Sequence, residues 1–152
     1  MFYGLIIHQI SYSSKIDFAT FDKITVRKTS DSRDFGQGIV AMDDVVSSNG
    51  TKLTLSNNGV KIGNGVSKVL ISGNVFFDSG SKSYGWVGLR KNNVDTGFQA
   101  IASIANSSYG SAALTPTILE VTENDILTLY NRESNSNIRG GYATYMTVQV
   151  IG

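Results

Sequence analysis

Cysteine is absent from this 152-residue chain, which excludes disulfide scaffolds, thiolate metal sites and thiol nucleophiles. Histidine is nearly absent: His8 stands alone, so no two- or three-histidine metal site can form. His8 is also far in sequence from any compact Ser/Asp cluster, which argues against a nucleophilic triad. Charge is scarce too, at 16% of residues against ~25% in an average globular domain. The 13 Lys+Arg nearly cancel the 12 Asp+Glu, so neither a basic field for nucleic acid nor an acidic tail is present. No apolar run approaches the ~18 residues of a membrane-spanning helix. The short apolar opening Met1–Ile7 lacks the basic segment and small-residue cleavage site of a secretory signal.

What remains is Gly, Ser, Asn and Thr, with 16 Gly and a single Pro. This suits a sheet protein with tight turns and disfavours long surface helices. The dominant hydrophobic period is two. Val69, Ile71, Gly73, Val75 and Phe77 share one strand face, and Val87 and Leu89 alternate with Trp86, Gly88 and Arg90. Phe98, Ala100, Ala102 and Ile104 repeat the pattern, as do Met146, Val148 and Val150. Shorter strands are expected at Lys52–Leu55, Val60–Ile62, Ile118–Val121 and Ile126–Tyr130. Turn signals separate them: Ser48-Asn49-Gly50, Asn57-Asn58-Gly59, Gly63-Asn64-Gly65, Asp78-Ser79-Gly80 and Asp95-Thr96-Gly97. Short strands at about ten-residue spacing predict an all-β antiparallel sandwich or barrel. Nine of the charges fall within residues 1–34. Residues 1–38 are therefore expected to be an N-terminal arm or connector, or equally a first hairpin, with a strand at Phe21–Lys28. Residues 39–152 form the main domain.

From Ala41 to Gly152 the order of segments resembles the C1q/TNF-like jelly-roll heads, as in bacteriophage tail and baseplate proteins of Gram-positive hosts. The resemblance is carried by Thr51–Leu55 leading through Val60–Ile62 to the long strand Val69–Phe77, by Thr117–Leu129 with its acidic turn, and by the closing Gly140–Val148. It implies a ten-strand antiparallel jelly roll that assembles as a homotrimer. In phage members such trimers serve as structural tips or as binders of host cell-wall glycan, alongside other tail and baseplate proteins. The resemblance accordingly implies a chain that belongs to the virion and is made in the bacterial host cytoplasm.

Two strands near the carboxyl end carry large side chains on both faces, the pattern of a sheet covered twice. Met146, Val148 and Val150 face one way, with Tyr145, Thr147, Gln149 and Ile151 opposite; Leu127 and Leu129 oppose Ile126, Thr128 and Tyr130. A cyclic trimer would cover the second face, with Tyr130, Tyr142, Tyr145, Thr147 and Gln149 at the interface. The alternative cover is the chain's own N-terminal segment.

Catalytic chemistry finds few candidates. The acidic groupings are Asp43-Asp44 and Glu120/Glu123/Asp125, and Glu123-Asn124-Asp125 reads as a solvated turn rather than a glycosidase pair. No catalytic residues, metal ligands or cofactor are expected. Saccharide binding asks less: an aromatic ring for the apolar sugar face and planar polar groups for its hydroxyls. Two polar loops, 106–111 and 131–139, offer Tyr109, Arg132, Asn135, Asn137 and Arg139. Trp86 is the other aromatic candidate, though a Trp on a central strand more often packs a core or an interface than meets ligand. The reading that results is a non-enzymatic trimeric head, without nucleic acid or membrane insertion. The alternative is a monomeric bacterial β-sandwich carbohydrate-binding or adhesion module.

Overall fold

The computed structural model describes residues 21–29, 34–78, 84–104, 109–134, 136–141 and 143–152. Thirteen strands lie among them. In chain order they are β1 (Lys23–Arg27), β2 (Asp34–Phe35), β3 (Gly38–Ile39), β4 (Asp44–Asn49), β5 (Leu53–Ser56), β6 (Gly59–Ile62) and β7 (Lys68–Asp78). They continue with β8 (Tyr84–Lys91), β9 (Val94–Ser103), β10 (Gly110–Glu120), β11 (Ile126–Asn131), β12 (Asn137–Ile138) and β13 (Tyr145–Val150). Setting aside β2, β3 and β12, each two residues long, ten strands remain, as the jelly roll requires.

Two antiparallel sheets face each other. The first runs β4-β1-β13-β7-β10, with β12 continuing beside β7 and β2 beside β12. The second runs β5-β6-β11-β8-β9, with β3 pairing the far end of β11. Between them the period-two residues meet. Val69, Ile71, Val75 and Phe77 of β7, Val87 and Leu89 of β8, and Met146 and Val148 of β13 are at most 1% exposed.

Several sequence expectations change on contact with the fold. The boundary at residue 38 does not separate two units among the described residues. β1 lies inside the first sheet, paired to β13 on one side and β4 on the other, with Ile24 and Val26 buried. Its charges mislead because Lys23 and Arg27 occupy the opposite, outward face. The β8–β9 hairpin turns at Asn92-Asn93, both with positive φ (52° and 65°), as a two-residue primed turn requires. Asp95-Thr96-Gly97, expected as that turn, lies instead in β9, where the register shifts and Gly97 takes a φ of +83°. Gly110 and Ser111, expected as the end of the polar loop 106–111, instead open an eleven-residue strand.

The acidic turn is solvated at Glu123 and Asn124, as expected, but not at Asp125. Asp125 is 6% exposed and accepts hydrogen bonds from the Thr122 N–H (2.9 Å) and the Asn92 amide (2.6 Å), with Lys91 3.6 Å away. Burial acts to raise its pKa, but these three partners outweigh it and hold the carboxyl below the ordinary value.

Segment 131–139 departs furthest from expectation. Instead of a solvated loop it is a strap joining the two sheets. Asn131, Glu133, Ser136, Asn137 and Ile138 are all buried. The Asn131 amide donates to Gly36 O (2.8 Å), Ser136 Oγ (2.7 Å) and Glu133 O (3.2 Å), and its oxygen accepts the Glu133 N–H. At the far end the Arg139 N–H bonds Phe76 O, tying the strap to β7.

Candidate functional site

The strap and the strand registers together build a polar aromatic face on the outside of the second sheet. Val87 and Leu89 of β8 point into the core, so alternation sends Trp86, Gly88 and Arg90 outward. On β11 the same rule sends Thr128 and Tyr130 outward, opposite Arg90 and Gly88 respectively. Arg132 follows β11, held by its own N–H to Trp86 O at 2.8 Å. Its guanidinium lies 5.0 Å from the Trp86 ring centre and pairs with Asp95, which the β9 bulge has brought round. Gly88 makes room for this arrangement, since a Cβ there would stand 2.8 Å from Arg132 Nε.

Arg90 lies 3.2 Å over the centre of the Tyr130 ring, a cation–π contact well inside the ~6 Å limit. The Trp86 indole N–H donates to Gln99 Oε1 at 3.1 Å. A cavity of about 260 Å³ opens among Gln37, Trp86, Arg90, Asp95, Tyr130 and Arg132. It offers two rings, two guanidinium groups, a carboxylate and an amide, the donor–acceptor set that fixes hydroxylated ligands. A larger cavity of about 450 Å³ lies around Lys68, Lys91 and Glu120. Its lysines are already engaged: Lys91 with Glu120 O and Asp125, and Lys68 with the Glu120 carboxylate. Asp44 is spent on Arg27, and Asp43 caps Thr29.

The residues expected to bind saccharide do not converge. Arg132 belongs to the face just described. Tyr109 stacks on Phe76 of the first sheet (centroids 5.7 Å apart), and Arg139 is exposed beside that same strand. Asn137 is buried in β12, and Asn135 lies outside the described residues. Missed by sequence reasoning were Arg90, Asp95 and Gln37; Trp86 is an aromatic candidate there but is set down to packing, and Tyr130 is assigned to the interface. The alternation Trp86/Gly88/Arg90 was a usable signal, but the strands that flank it could not be read from spacing.

The expected interface residues also divide. Tyr145, Thr147 and Gln149 lie half-buried on the outer face of the first sheet, where Thr147 and Thr25 hydroxyls meet at 3.0 Å. Tyr130 is on the opposite side of the sandwich, so the two strands do not present one shared patch; its ring is covered by Arg90 of its own chain. Tyr142 lies outside the described residues. Other apolar side chains are exposed along the two adjacent edge strands: Val94, Phe98 and Ile101 of β9 (68%, 38% and 61%) and Ile118 of β10 (59%).

No protein-family model and no curated protein matches the chain. Solved structures do share its fold. Murine APRIL at pH 5.0 superposes with a TM-score of 0.69 at 16% identity, covering 86% of this chain and 99% of that one. Eiger TNF from S. frugiperda gives 0.71 at 12% identity, covering 87% and 93%. The fold is therefore a TNF-like jelly roll.

Proposed function

We propose that the chain is a non-enzymatic head domain that assembles as a homotrimer and binds surface saccharide through the outer face of its second sheet. Following the resemblance of residues 41–152, its place is the tail or baseplate of a phage or prophage virion, where it would meet host cell-wall glycan and neighbouring tail proteins. The observation that carries the binding reading is the open cavity in which Trp86, Tyr130, Arg90 and Arg132 gather beside Asp95. Among the described residues only one carboxylate, Asp95, lines it, and Arg132 holds that group. This favours binding over acid–base hydrolysis, which needs a pair.

Assembly is supported by the exposed apolar edge of β9 and β10, which a soluble sandwich must shield from unwanted pairing. An edge meeting a different surface, the half-buried face of Leu70, Phe76 and Tyr145, would be a heterologous contact, which closes into a ring of three when each copy is rotated by a third of a turn. One observation favours the alternative, a monomeric carbohydrate-binding module: the outer face of β11 is covered by Arg90 of the same chain.

Mass in dilute solution separates the two, with three times 16.4 kDa expected. Ile118→Asp should reduce it to a single protomer. Isothermal titration against host cell-wall fragments should give heat that Trp86→Ala abolishes. A stable monomer overturns the trimer, and silence at millimolar ligand overturns saccharide binding.

A further inference from the structure

We propose that the saccharide bound on the second sheet is acidic, with its anionic group on Arg90 and a neutral neighbouring unit in a second cavity floored by Thr128. This rests on the saccharide reading above and adds the chemical class of the sugar.

The charges on this face do not cancel. Arg132 is neutralised by Asp95, whereas Arg90 has no carboxylate partner among the described residues. Its guanidinium spends a face on Tyr130, which leaves the in-plane N–H donors of its edge for a ligand. Such an edge matches a carboxylate or phosphate in two parallel hydrogen bonds. The Tyr130 hydroxyl, beneath it, can add a further donor.

On the other side of the Arg90–Tyr130 ridge lies a cavity of about 230 Å³, lined by Ile39, Asn57, Asn92, Asn93, Ile126 and Thr128. Thr128 is 2% exposed, and its hydroxyl has no hydrogen-bond partner among the described residues. Native proteins rarely leave a buried hydroxyl in that state, so it points to a ligand group that completes it. The Asn92 amide is already committed to Asp125 and the Ile126 N–H. Asn57 and Asn93 stand exposed on their turns and supply planar amides, while Ile39 and Ile126 supply an apolar wall. That mixture of amide and aliphatic surface suits a pyranose ring.

Registry joins the two cavities. Thr128 pairs with Arg90 across β11 and β8, and Ile39 pairs with Tyr130 across β3 and β11. Two residues along a strand is about 7 Å, so adjacent sugar units can reach both places. Each cavity falls below the ~300–1,000 Å³ of drug-sized sites and takes one unit.

The test titrates the full chain with a hexuronic-acid disaccharide, a hexose phosphate and a neutral disaccharide. At least one acidic probe should bind more tightly than the neutral one and weaken as salt rises, whereas neutral binding should not respond to salt. Whichever acidic probe binds identifies carboxylate or phosphate as the source of the charge. Arg90→Gln should cost the acidic probe about tenfold or more, a much larger loss than the neutral disaccharide suffers, and should remove the salt dependence of acidic binding. Thr128→Val should weaken both disaccharides severalfold and leave the hexose phosphate unchanged. Equal, salt-independent affinities for acidic and neutral probes would overturn the acidic assignment while leaving saccharide binding intact. Failure of all three probes at millimolar concentration would remove the saccharide reading itself. The salt titration uses the unaltered chain, so it decides the question even where a variant fails to fold.

Discussion

Asn131→Ala is expected to loosen the strap between the sheets, and its size follows from the partners it would strand. Asn131 is 1% exposed, and its side chain serves Gly36 O, Ser136 Oγ and Glu133 O as donor and the Glu133 N–H as acceptor. Truncation leaves the Glu133 N–H buried without its acceptor, which costs about 1–3 kcal/mol. Gly36 is half-exposed, so water recovers part of its loss, and Ser136 keeps its bond to Glu133 O at 3.2 Å. These two contribute roughly another 1 kcal/mol together. The sum is about 3 kcal/mol, a large share of the ~5–15 kcal/mol that holds a typical domain. For a chain of this length that corresponds to a fall in Tm of roughly 6–12 °C. Asn131→Asp should be at least as damaging, because it removes both N–H donors and buries a carboxylate in their place. Urea unfolding followed by Trp86 fluorescence, the only tryptophan signal, reads the difference directly. Samples must share one protomer concentration, since association adds concentration-dependent stability. A loss below about 1 kcal/mol would mean that the strap is held by something other than this amide, and the reasoning would fail.

Gly85→Ala should cost about 1–3 kcal/mol in the same assay, because the added methyl would enter the ring of the fully buried Phe77. Gly88→Ala should behave differently: its methyl meets the mobile end of Arg132, so stability stays within about 0.5 kcal/mol. What changes is the site, with Arg132 displaced from Trp86, altered native-state fluorescence and severalfold weaker saccharide binding. Asp125 predicts acid sensitivity. Its pKa is lowered in the folded chain, so the stability it contributes is present above the unfolded value of 3.8 and drains away as pH falls through the lower folded value. Asp125→Asn should flatten that limb of the stability–pH curve while lowering stability at neutral pH; an unchanged acid limb would refute the assignment.

The sandwich was legible because burial follows alternation. Val69 to Phe77 and Met146 to Val150 announce their inward faces without help from any partner strand. The burial of Asp125 and the strap were not legible, and for one reason. Asp125, Asn131, Glu133 and Ser136 look like solvated residues, yet each is buried and hydrogen-bonded to near neighbours in the chain, with Asn92 and Gly36 reaching Asp125 and Asn131 from other segments. A polar residue that finds its partners inside the protein is indistinguishable, by type, from one that finds them in water. The ligand face failed to emerge for a related reason. Trp86, Asp95 and Tyr130 stand on three strands, and only the β8–β9 bulge and the β8–β11 register make neighbours of them. Arg132 was singled out, but for a loop that proved to be a structural tie.

Strand β11 alternates between two audiences. Leu127 and Leu129 answer to the interior, where a lost methylene leaves a void, while Thr128 and Tyr130 answer to whatever approaches from outside. Because the pleat keeps these obligations on opposite sides, the outward positions are free to drift or be redesigned without disturbing the scaffold beneath. The same barrel of strands can in this way be readdressed to a different sugar by exchanging a handful of side chains, with no loop rebuilt and no strand moved.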